Sequence, residues 1–308
     1  MSNKTTETSK AGFKQEIGLF GGVSMLGSIM IGGGIFYLGS YVLQRTDFSM
    51  GLSLLCWVIG GIITMLGGLC FAEMGAMLPK AGGMTVYLNT AFHPLLGFLN
   101  GFNSWLLSGA GSLAAGALAF SAIFGLTGTT GKLVASALMI VFTAYNMLGI
   151  KAGSMFQNFT MVAKLIPIAI IMISAFLMGD VSPDLTILPE GTSFDFSSFI
   201  RMTAFATLAT LWAYEGWINL NTVSEEMKNP KRNLPLSLII AIGGITLLYV
   251  LFNYAIYRVI PADEVRSLID SENFYLGTEV AKRLLGGFGG VIVIIGMTIS
   301  QLGSTNGM

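Results

Sequence analysis

Long apolar segments dominate this chain and limit what it can fold into. Of its 308 residues 53% are hydrophobic and only 10% are charged, whereas soluble domains carry about 25% charged residues. Segments of about 20 apolar residues are typical of membrane-spanning helices. We identify eight of them, at residues 17–42, 51–72, 93–124, 133–150, 155–178, 199–223, 236–257 and 286–306. The sequence therefore predicts an all-α, multi-pass protein of the cell membrane, surrounded by the lipid bilayer and without a nucleic-acid partner.

The segments between these spans predict how the chain is oriented. Cytoplasmic loops of membrane proteins carry an excess of lysine and arginine. Basic residues outnumber acidic ones in the segments that share a side with the N-terminus, and acidic residues prevail on the other side. We therefore expect residues 1–16 to be a cytoplasmic tail and residues 179–198 to be an extracellular loop.

The first apolar segment contains a glycine cluster, GSIMIGGGIF at residues 27–36. A glycine inside a helix costs about 1 kcal/mol relative to alanine, and consecutive glycines lack the four-residue spacing that packs membrane helices together. Irregular backbone at membrane depth is tolerated only where it is buried in protein or lines a cavity. We predict that this helix is broken at 27–34 and that its freed N–H groups attract an anion such as a carboxylate.

A second irregular stretch occurs five apolar segments later, TLATLWAYEGW at residues 207–217. It places a glutamate and a glycine beside two tryptophans in mid-membrane. Helices separated by an odd number of crossings run in opposite directions, as in the inverted repeats of secondary transporters. The sequence thus predicts a second break at 212–217 and a binding site between the two breaks.

Two ionisable residues, Lys164 and Glu215, lie within the predicted spans. An ionisable side chain near the bilayer centre costs at least about 2.5–3.5 kcal/mol and usually faces the interior of the bundle. Both residues are therefore candidates for a functional role.

Four stretches of the chain resemble the amino acid–polyamine–organocation transporters. The glycine cluster is similar to the first-helix motif GSIIGSGIF of that family, and FAEMGAMLPKAGG at 71–83 is similar to the loop after its second helix. WAYEGW at 212–217 resembles the FAYxGW signature of the L-type amino acid transporter and bacterial serine–threonine exchanger branch. SEEMKNPKRNLP at 224–235 resembles the loop that follows the signature. The resemblance extends from about residue 16 to residue 308.

This resemblance implies a LeuT-type inverted-repeat fold and amino acid transport by alternating access. The first five-helix repeat would occupy residues 17–178, and residues 199–308 would begin an inverted second repeat. Because the chain stops after about eight membrane helices, we expect the second repeat to be incomplete. The implied activity is sodium-independent exchange of amino acids, preferably neutral ones.

The resemblance also implies which residues bind substrate. The implied site comprises Met30, Gly32, Gly33, Gly34, Trp212, Tyr214 and Glu215. The substrate carboxylate would meet the N–H groups of Gly33 and Gly34, and its ammonium would meet carbonyl oxygens of the two breaks. The ring of Trp212 would close over the substrate from outside. Lys164 matches a lysine whose ammonium, in sodium-independent relatives, stands where sodium binds in others.

Two departures from the family pattern leave the substrate open. Gly33 replaces a serine, which removes a hydroxyl contact to the carboxylate, and Glu215 stands where relatives have glycine or aspartate. Glu215 favours a cationic amino acid or a polyamine, unless Lys164 or a neighbouring helix neutralises it. A sensor that uses the transporter fold without flux is a further alternative, as is a fragment of a longer permease.

The remaining polar residues provide no catalytic or metal-binding pattern. His93 is the one histidine, and Cys56 and Cys70 share a single span without a metal-ligand spacing. We expect no enzyme activity, no metal and no cofactor. Animal relatives attach a heavy chain through a cysteine in an outside loop, and the matching loop at 125–132 contains none. No disulfide-linked heavy chain is therefore expected.

Overall fold

The protein is a bundle of long helices. A computed structural model describes residues 14–188 and 195–307. Within these residues the α-helices are α1 (Leu19–Met30), α2 (Leu38–Arg45), α3 (Met50–Met77), α4 (Met84–Ala91), α5 (Pro94–Asn103), α6 (Ala110–Ile123), α7 (Gly128–Asn146), α8 (Ile150–Met178), α9 (Phe196–Ala213), α10 (Pro230–Tyr257), α11 (Ala262–Asp270) and α12 (Leu276–Gly307). Short 3-10 helices, Gly33–Phe36 and Trp217–Glu226, follow α1 and α9, and a π-helical segment, Ser104–Gly109, joins α5 to α6.

The predicted all-α architecture is confirmed. Within the described residues, six continuous helices are long and apolar enough to cross a membrane: α3, α5 joined to α6, α7, α8, α10 and α12. The two other predicted spans are the interrupted ones, α1 with α2 and α9 with the 3-10 helix that follows it. The predictions for residues 1–13 and 189–194 fall outside the described residues.

The break in the first span begins later than the sequence predicts. The backbone remains helical through Met30, and the N–H of Ile31 still donates to the carbonyl oxygen of Gly27 at 3.0 Å. Gly27 instead lets α1 pack closely against α8, because a Cβ added there would lie 2.5 Å from Cε of Met161 in α8. The predicted break at 27–34 is therefore wrong at its start, and the irregular backbone runs from Ile31 to Tyr37.

The last helix differs from its predicted span in a similar way. α12 starts at Leu276 rather than at residue 286, and its backbone is non-helical at Gly286, where φ is +60°. The predicted start therefore coincides with a kink. The first part of α12 carries Glu279, Lys282 and Arg283, which kept it out of the apolar pattern.

Backbone hydrogen bonds tie three segments together at one end of the bundle. The N–H of Ile17 donates to the carbonyl oxygen of Glu226 at 3.1 Å, and the N–H of Lys228 donates to the carbonyl oxygen of Ile17 at 2.8 Å. The N–H of Gly82, after α3, donates to the carbonyl oxygen of Thr222 at 3.0 Å. The ends of the two interrupted spans are thus joined by main-chain contacts.

Glycines on α3 allow α9 and α10 to approach it closely. A Cβ added at Gly60 would lie 2.1 Å from Oγ1 of Thr210 in α9, and one added at Gly61 would lie 2.3 Å from Oγ1 of Thr246 in α10. Small residues at such interfaces let membrane helices pack backbone to backbone.

We predict that Gly61→Ala destabilises the protein and that Gly244→Ala does not. The added methyl at residue 61 overlaps Thr246, and overpacking costs about 1–3 kcal/mol. A Cβ at Gly244 in α10 has no atom within 4 Å, so only the gain of about 1 kcal/mol in helix propensity remains. Thermal unfolding of the two detergent-solubilised variants measures the difference. Equal melting temperatures would contradict the close approach of α3 and α10.

Candidate functional site

The two breaks contact each other inside the bundle. α9 ends at Ala213, and Gly216 begins the next 3-10 helix with a left-handed φ of +109°. A Cβ added at Gly216 would lie 2.4 Å from Cγ2 of Ile29, in the last turn of α1. Glycine is required at residue 216 both for its backbone conformation and for this contact.

Two of the three glycines of the first break carry free N–H groups. Gly32, Gly33 and Gly34 are partly exposed, whereas Ile31 and Ile35 on either side are buried. In the described part of the chain, neither the N–H of Gly33 nor that of Gly34 has a hydrogen-bond acceptor. These groups begin a 3-10 helix, where free N–H groups and the helix dipole both favour an anion.

Lys164 binds carbonyl oxygens at the end of α1. Its Nζ donates to the carbonyl oxygens of Ser28 at 2.7 Å and Ile31 at 2.6 Å, and lies 3.4 Å from that of Ser300 in α12. The residue is 0% exposed. The buried ammonium thus contacts the freed backbone at the end of the first span. A cation at a helix C-terminus also interacts favourably with the helix dipole.

Two hydroxyl groups complete the cap on α1. Oγ of Ser304, in α12, lies 3.1 Å from the carbonyl oxygens of both Ser28 and Ile29. The hydroxyl of Tyr249, in α10, donates to the carbonyl oxygen of Met30 at 2.8 Å. The last four carbonyl groups of a helix have no partner within it. Here they are those of residues 28–31, and side chains from α8, α10 and α12 supply a partner to each.

Lys164 does not neutralise Glu215. In residues 14–188 and 195–307 two salt bridges are present, which join Asp47 to Arg266 and Glu264 to Arg283. Within these residues no carboxylate lies within 4.0 Å of Lys164. Glu215 is exposed beside the second break. That alternative from the sequence is therefore wrong, because carbonyl oxygens rather than an acid hold the buried ammonium.

The aromatic residues of the second break differ in exposure. Tyr214 is 0% exposed, and its hydroxyl donates to the carbonyl oxygen of Trp57 at 2.9 Å. Its side chain therefore supports the bundle, and only its backbone lies at the break. The side chain of Trp212 is 72% exposed, so its ring is free of the bundle interior.

The carbonyl oxygens predicted to bind an ammonium already have donors. That of Met30 accepts from the hydroxyl of Tyr249 and also from the N–H of Gly32 at 3.0 Å. That of Trp212 accepts from the N–H of Glu215 at 3.3 Å. Both oxygens lie at the C-terminal ends of half-helices, where the dipole is negative.

Tyr249 and Ser304 were not predicted as site residues. Each shares its helix with other hydroxyl residues, such as Thr246 and Tyr257 in α10 and Ser300 and Thr305 in α12, and hydroxyl groups in helices also occur where a side chain bonds the preceding turn of its own helix. No local signal in the sequence distinguishes the two situations.

A separate cavity of about 300 Å³ lies at one end of the bundle. Residues 47–50, the segment after α8 and the start of α11 line it, together with Arg266. None of the predicted site residues contributes to it. Cys56 and Cys70 are both free. The described residues contain no group of three potential metal ligands.

Comparison with known proteins identifies a family match over almost the whole chain. The family model described as amino acid permease matches residues 17–308. The serine/threonine exchanger SteT of Bacillus subtilis is 31% identical over 304 residues, which is 97% of this chain. The b(0,+)-type amino acid transporter 1 of Mus musculus is 34% identical over 279 residues, or 86% of the chain. The human cystine/glutamate transporter is 30% identical over 306 residues, or 97% of the chain.

The matches cover only part of each relative. The chain spans 67% of the length of the Bacillus exchanger, 55% of the mouse transporter and 59% of the human one. The comparison therefore concerns only the part of each relative that aligns with this chain.

We predict that Gly216→Ala destabilises the protein mainly through its overlap with Ile29. Gly125 also has a positive φ, of +69°, but no atom within 4 Å of an added Cβ, so Gly125→Ala measures backbone strain alone, of about 1–3 kcal/mol. Gly216→Ala should cost more than this control in thermal unfolding.

A second substitution locates the cause. Ile29→Ala removes the methyl group that lies 2.4 Å from the added Cβ, so it should partly restore the Gly216→Ala protein, as in a double-mutant cycle between contacting residues. Additive losses in the double variant would show that the two breaks do not touch.

Proposed function

The chain belongs to the amino acid permease family, and on that premise we propose that it moves amino acids across the cell membrane by alternating access. We propose further that it exchanges neutral amino acids without sodium, with its N-terminus in the cytoplasm. The family consists of transport proteins and not of enzymes. One observation carries the proposal: two broken helices meet within the bundle, and each has unpaired or replaceable backbone groups at its break.

The polarity of the breaks fits a zwitterion. The N–H groups of Gly33 and Gly34 have no acceptor among the described residues and suit a carboxylate. The carbonyl oxygens of Met30 and Trp212 end half-helices and suit an ammonium. An α-amino acid carries both groups on one carbon, so one small molecule can satisfy both sets.

Lys164 supports the proposal of sodium independence. A hard cation such as sodium is bound by carbonyl and hydroxyl oxygens, and the oxygens that converge at the end of α1 are already bonded to this ammonium. Lys164, a residue of the chain itself, then supplies the positive charge at the break, and a bound sodium ion is not needed there.

The names of the relatives support exchange but not one substrate. One is named as a serine/threonine exchanger and another as a cystine/glutamate transporter. A second candidate, transport of cationic amino acids or polyamines, is favoured by Glu215, whose carboxylate is exposed beside the break and has no ion pair within the described ranges.

The direct test is uptake of a radiolabelled amino acid into proteoliposomes that contain the full chain, with each of the twenty amino acids as competitor. Competition by neutral amino acids and stimulation by internal amino acid support the proposal. Stronger competition by arginine, lysine or polyamines supports the second candidate. Binding without uptake would indicate a sensor and contradict transport.

We predict that Gly33→Val weakens substrate affinity and uptake and leaves folding intact. A Cβ at residue 33 has room, since the nearest atom is Cε of Met297 at 3.9 Å, but the branched side chain then occupies the space assigned to the carboxylate. Gly34 is a poorer choice, because a Cβ there would lie 2.7 Å from Leu38. We expect affinity to fall at least about tenfold, equivalent to about 1.4 kcal/mol.

Gly111→Val is the matched control, because a Cβ at Gly111 in α6 has no atom within 4 Å. It should transport normally. Decarboxylated amines should compete poorly against the wild-type protein. Normal affinity in a folded Gly33→Val protein would refute the carboxylate site.

We predict that wild-type uptake is unchanged when choline replaces sodium and that Lys164→Ala impairs uptake severely. Removing the ammonium leaves the buried carbonyl oxygen of Ile31 without a donor, at about 1–3 kcal/mol, and leaves that of Ser28 with only the hydroxyl of Ser304. Lys282→Ala, at an exposed lysine, is the control. Partial rescue of Lys164→Ala by sodium would support a shared cation position. Wild-type uptake that requires sodium would refute it.

A further inference from the structure

A cavity of about 740 Å³ lies at the end of the bundle where the segment before α1 bonds the end of the second break. The turn between α7 and α8 also lines it. Four of its lining side chains are charged, two lysines and two glutamates: Lys14, Glu16, Lys151 and Glu226. A cavity with two cations and two anions suits a ligand that itself carries charges of both signs.

The charges that line this cavity do not neutralise one another. In the described stretches of the chain no lysine lies within 4.0 Å of a glutamate carboxylate. Glu16 and Glu225 instead lie close enough to the carboxylate of Glu226 to repel it. Glu225 has a donor, the N–H of Ala81 at 3.1 Å. The two glutamates of the cavity therefore lack a cation, which the ammonium group of a ligand can supply.

The start of α8 offers the cavity a set of donors for an anion. α8 begins at Ile150, and the N–H groups of Ile150 and Lys151 have no backbone acceptor in the part of the chain that the structure describes. Free N–H groups in the first turn and the helix dipole both favour an anion. The side chain of Lys151 adds a full positive charge at the same place, and a lysine ammonium binds phosphate as a point charge.

Exposed apolar side chains continue from the cavity along α8 into the membrane. Leu148 lines the cavity and is 73% exposed. Met155 and Phe159, four and eight residues after Lys151, lie on the same side of the helix and are both exposed. They belong to the apolar segment 155–178, which crosses the bilayer. A ligand with a charged head and apolar chains matches both surfaces, whereas a soluble zwitterion matches only the cavity.

We propose that this cavity binds the phosphoethanolamine headgroup of a membrane phospholipid. The phosphate lies at Lys151 and the first turn of α8, with Lys14 as a second cation. The ammonium lies at Glu16 and Glu226. The acyl chains follow the exposed side of α8 into the bilayer. Such a lipid connects α8 to the junction between the two interrupted spans, and its site shares no residue with the proposed amino acid site.

The competing explanation is that water solvates the four charges at the membrane boundary. Two lipids with the same acyl chains separate the explanations, dioleoyl phosphatidylethanolamine and dioleoyl phosphatidylcholine. Both carry a phosphate and a positive charge, but the methyl groups of choline leave no N–H to donate to a carboxylate. Native mass spectrometry of the full chain, titrated with each lipid in detergent, should show about threefold tighter binding of the ethanolamine lipid, as expected for partly exposed charge pairs. Equal affinities would overturn the proposal.

Variants then assign the effect to the cavity. Glu16→Gln combined with Glu226→Gln should abolish the preference for ethanolamine. Lys151→Gln should weaken both lipids and keep the preference, because both carry the phosphate. Glu272→Gln and Lys132→Gln are the controls, since both residues are exposed and neither lines the cavity. A preference that survives the double substitution, or that is lost in a control, would overturn the site.

Soluble phosphoethanolamine distinguishes a lipid from a free molecule with the same charges. It lacks acyl chains, so it should displace the ethanolamine lipid only weakly. Displacement by phosphoethanolamine or by an amino acid at the affinity of the lipid itself would overturn the assignment to a lipid. None of these measurements involves uptake, so they test the lipid site separately from the proposed transport activity.

Discussion

The end of α1 inside the membrane core is the constraint on which the remaining structure depends. Its last carbonyl groups have no helical partner, and each unsatisfied group in hydrocarbon costs several kcal/mol. Lys164, Tyr249 and Ser304 bond all of them, from α8, α10 and α12 respectively. The glycines make the break sterically possible, but these three side chains make it stable. The break therefore exists only within the assembled bundle.

The parts of this arrangement that follow from local sequence could be predicted, and the parts that follow from packing could not. Apolar length located the spans, and the glycine triplet located a break. Its start was misplaced because Gly27 belongs to a contact with Met161, which lies far away in the sequence. Tyr249 and Ser304 were missed for the same reason, since the carbonyl groups that they bond lie on another helix.

The two charges in the membrane segments show how far a local argument extends. A buried cation requires bonded partners, and an acid in the opposite break was one candidate. The structure instead gives Lys164 the carbonyl oxygens at the negative end of a helix dipole. Desolvating an acid as well would add a cost that carbonyl groups, which need donors in any case, do not impose. Glu215 consequently remains exposed beside the break and available to a ligand.

The caps on α1 also divide the bundle into two sets of helices. Tyr249 and its ring partners Trp57 and Tyr214 link α1 to α3, α9 and α10. Lys164 and Ser304 link the same end of α1 to α8 and α12. Alternating access requires one set of helices to move against the other around a fixed site. Under the proposed function, the bonds of Tyr249 can persist through such a movement, because its partners lie in one set. The bonds of Lys164 and Ser304 join α1, in the first set, to α8 and α12 in the second. The movement must therefore either break these bonds or shift α8 and α12 together with α1.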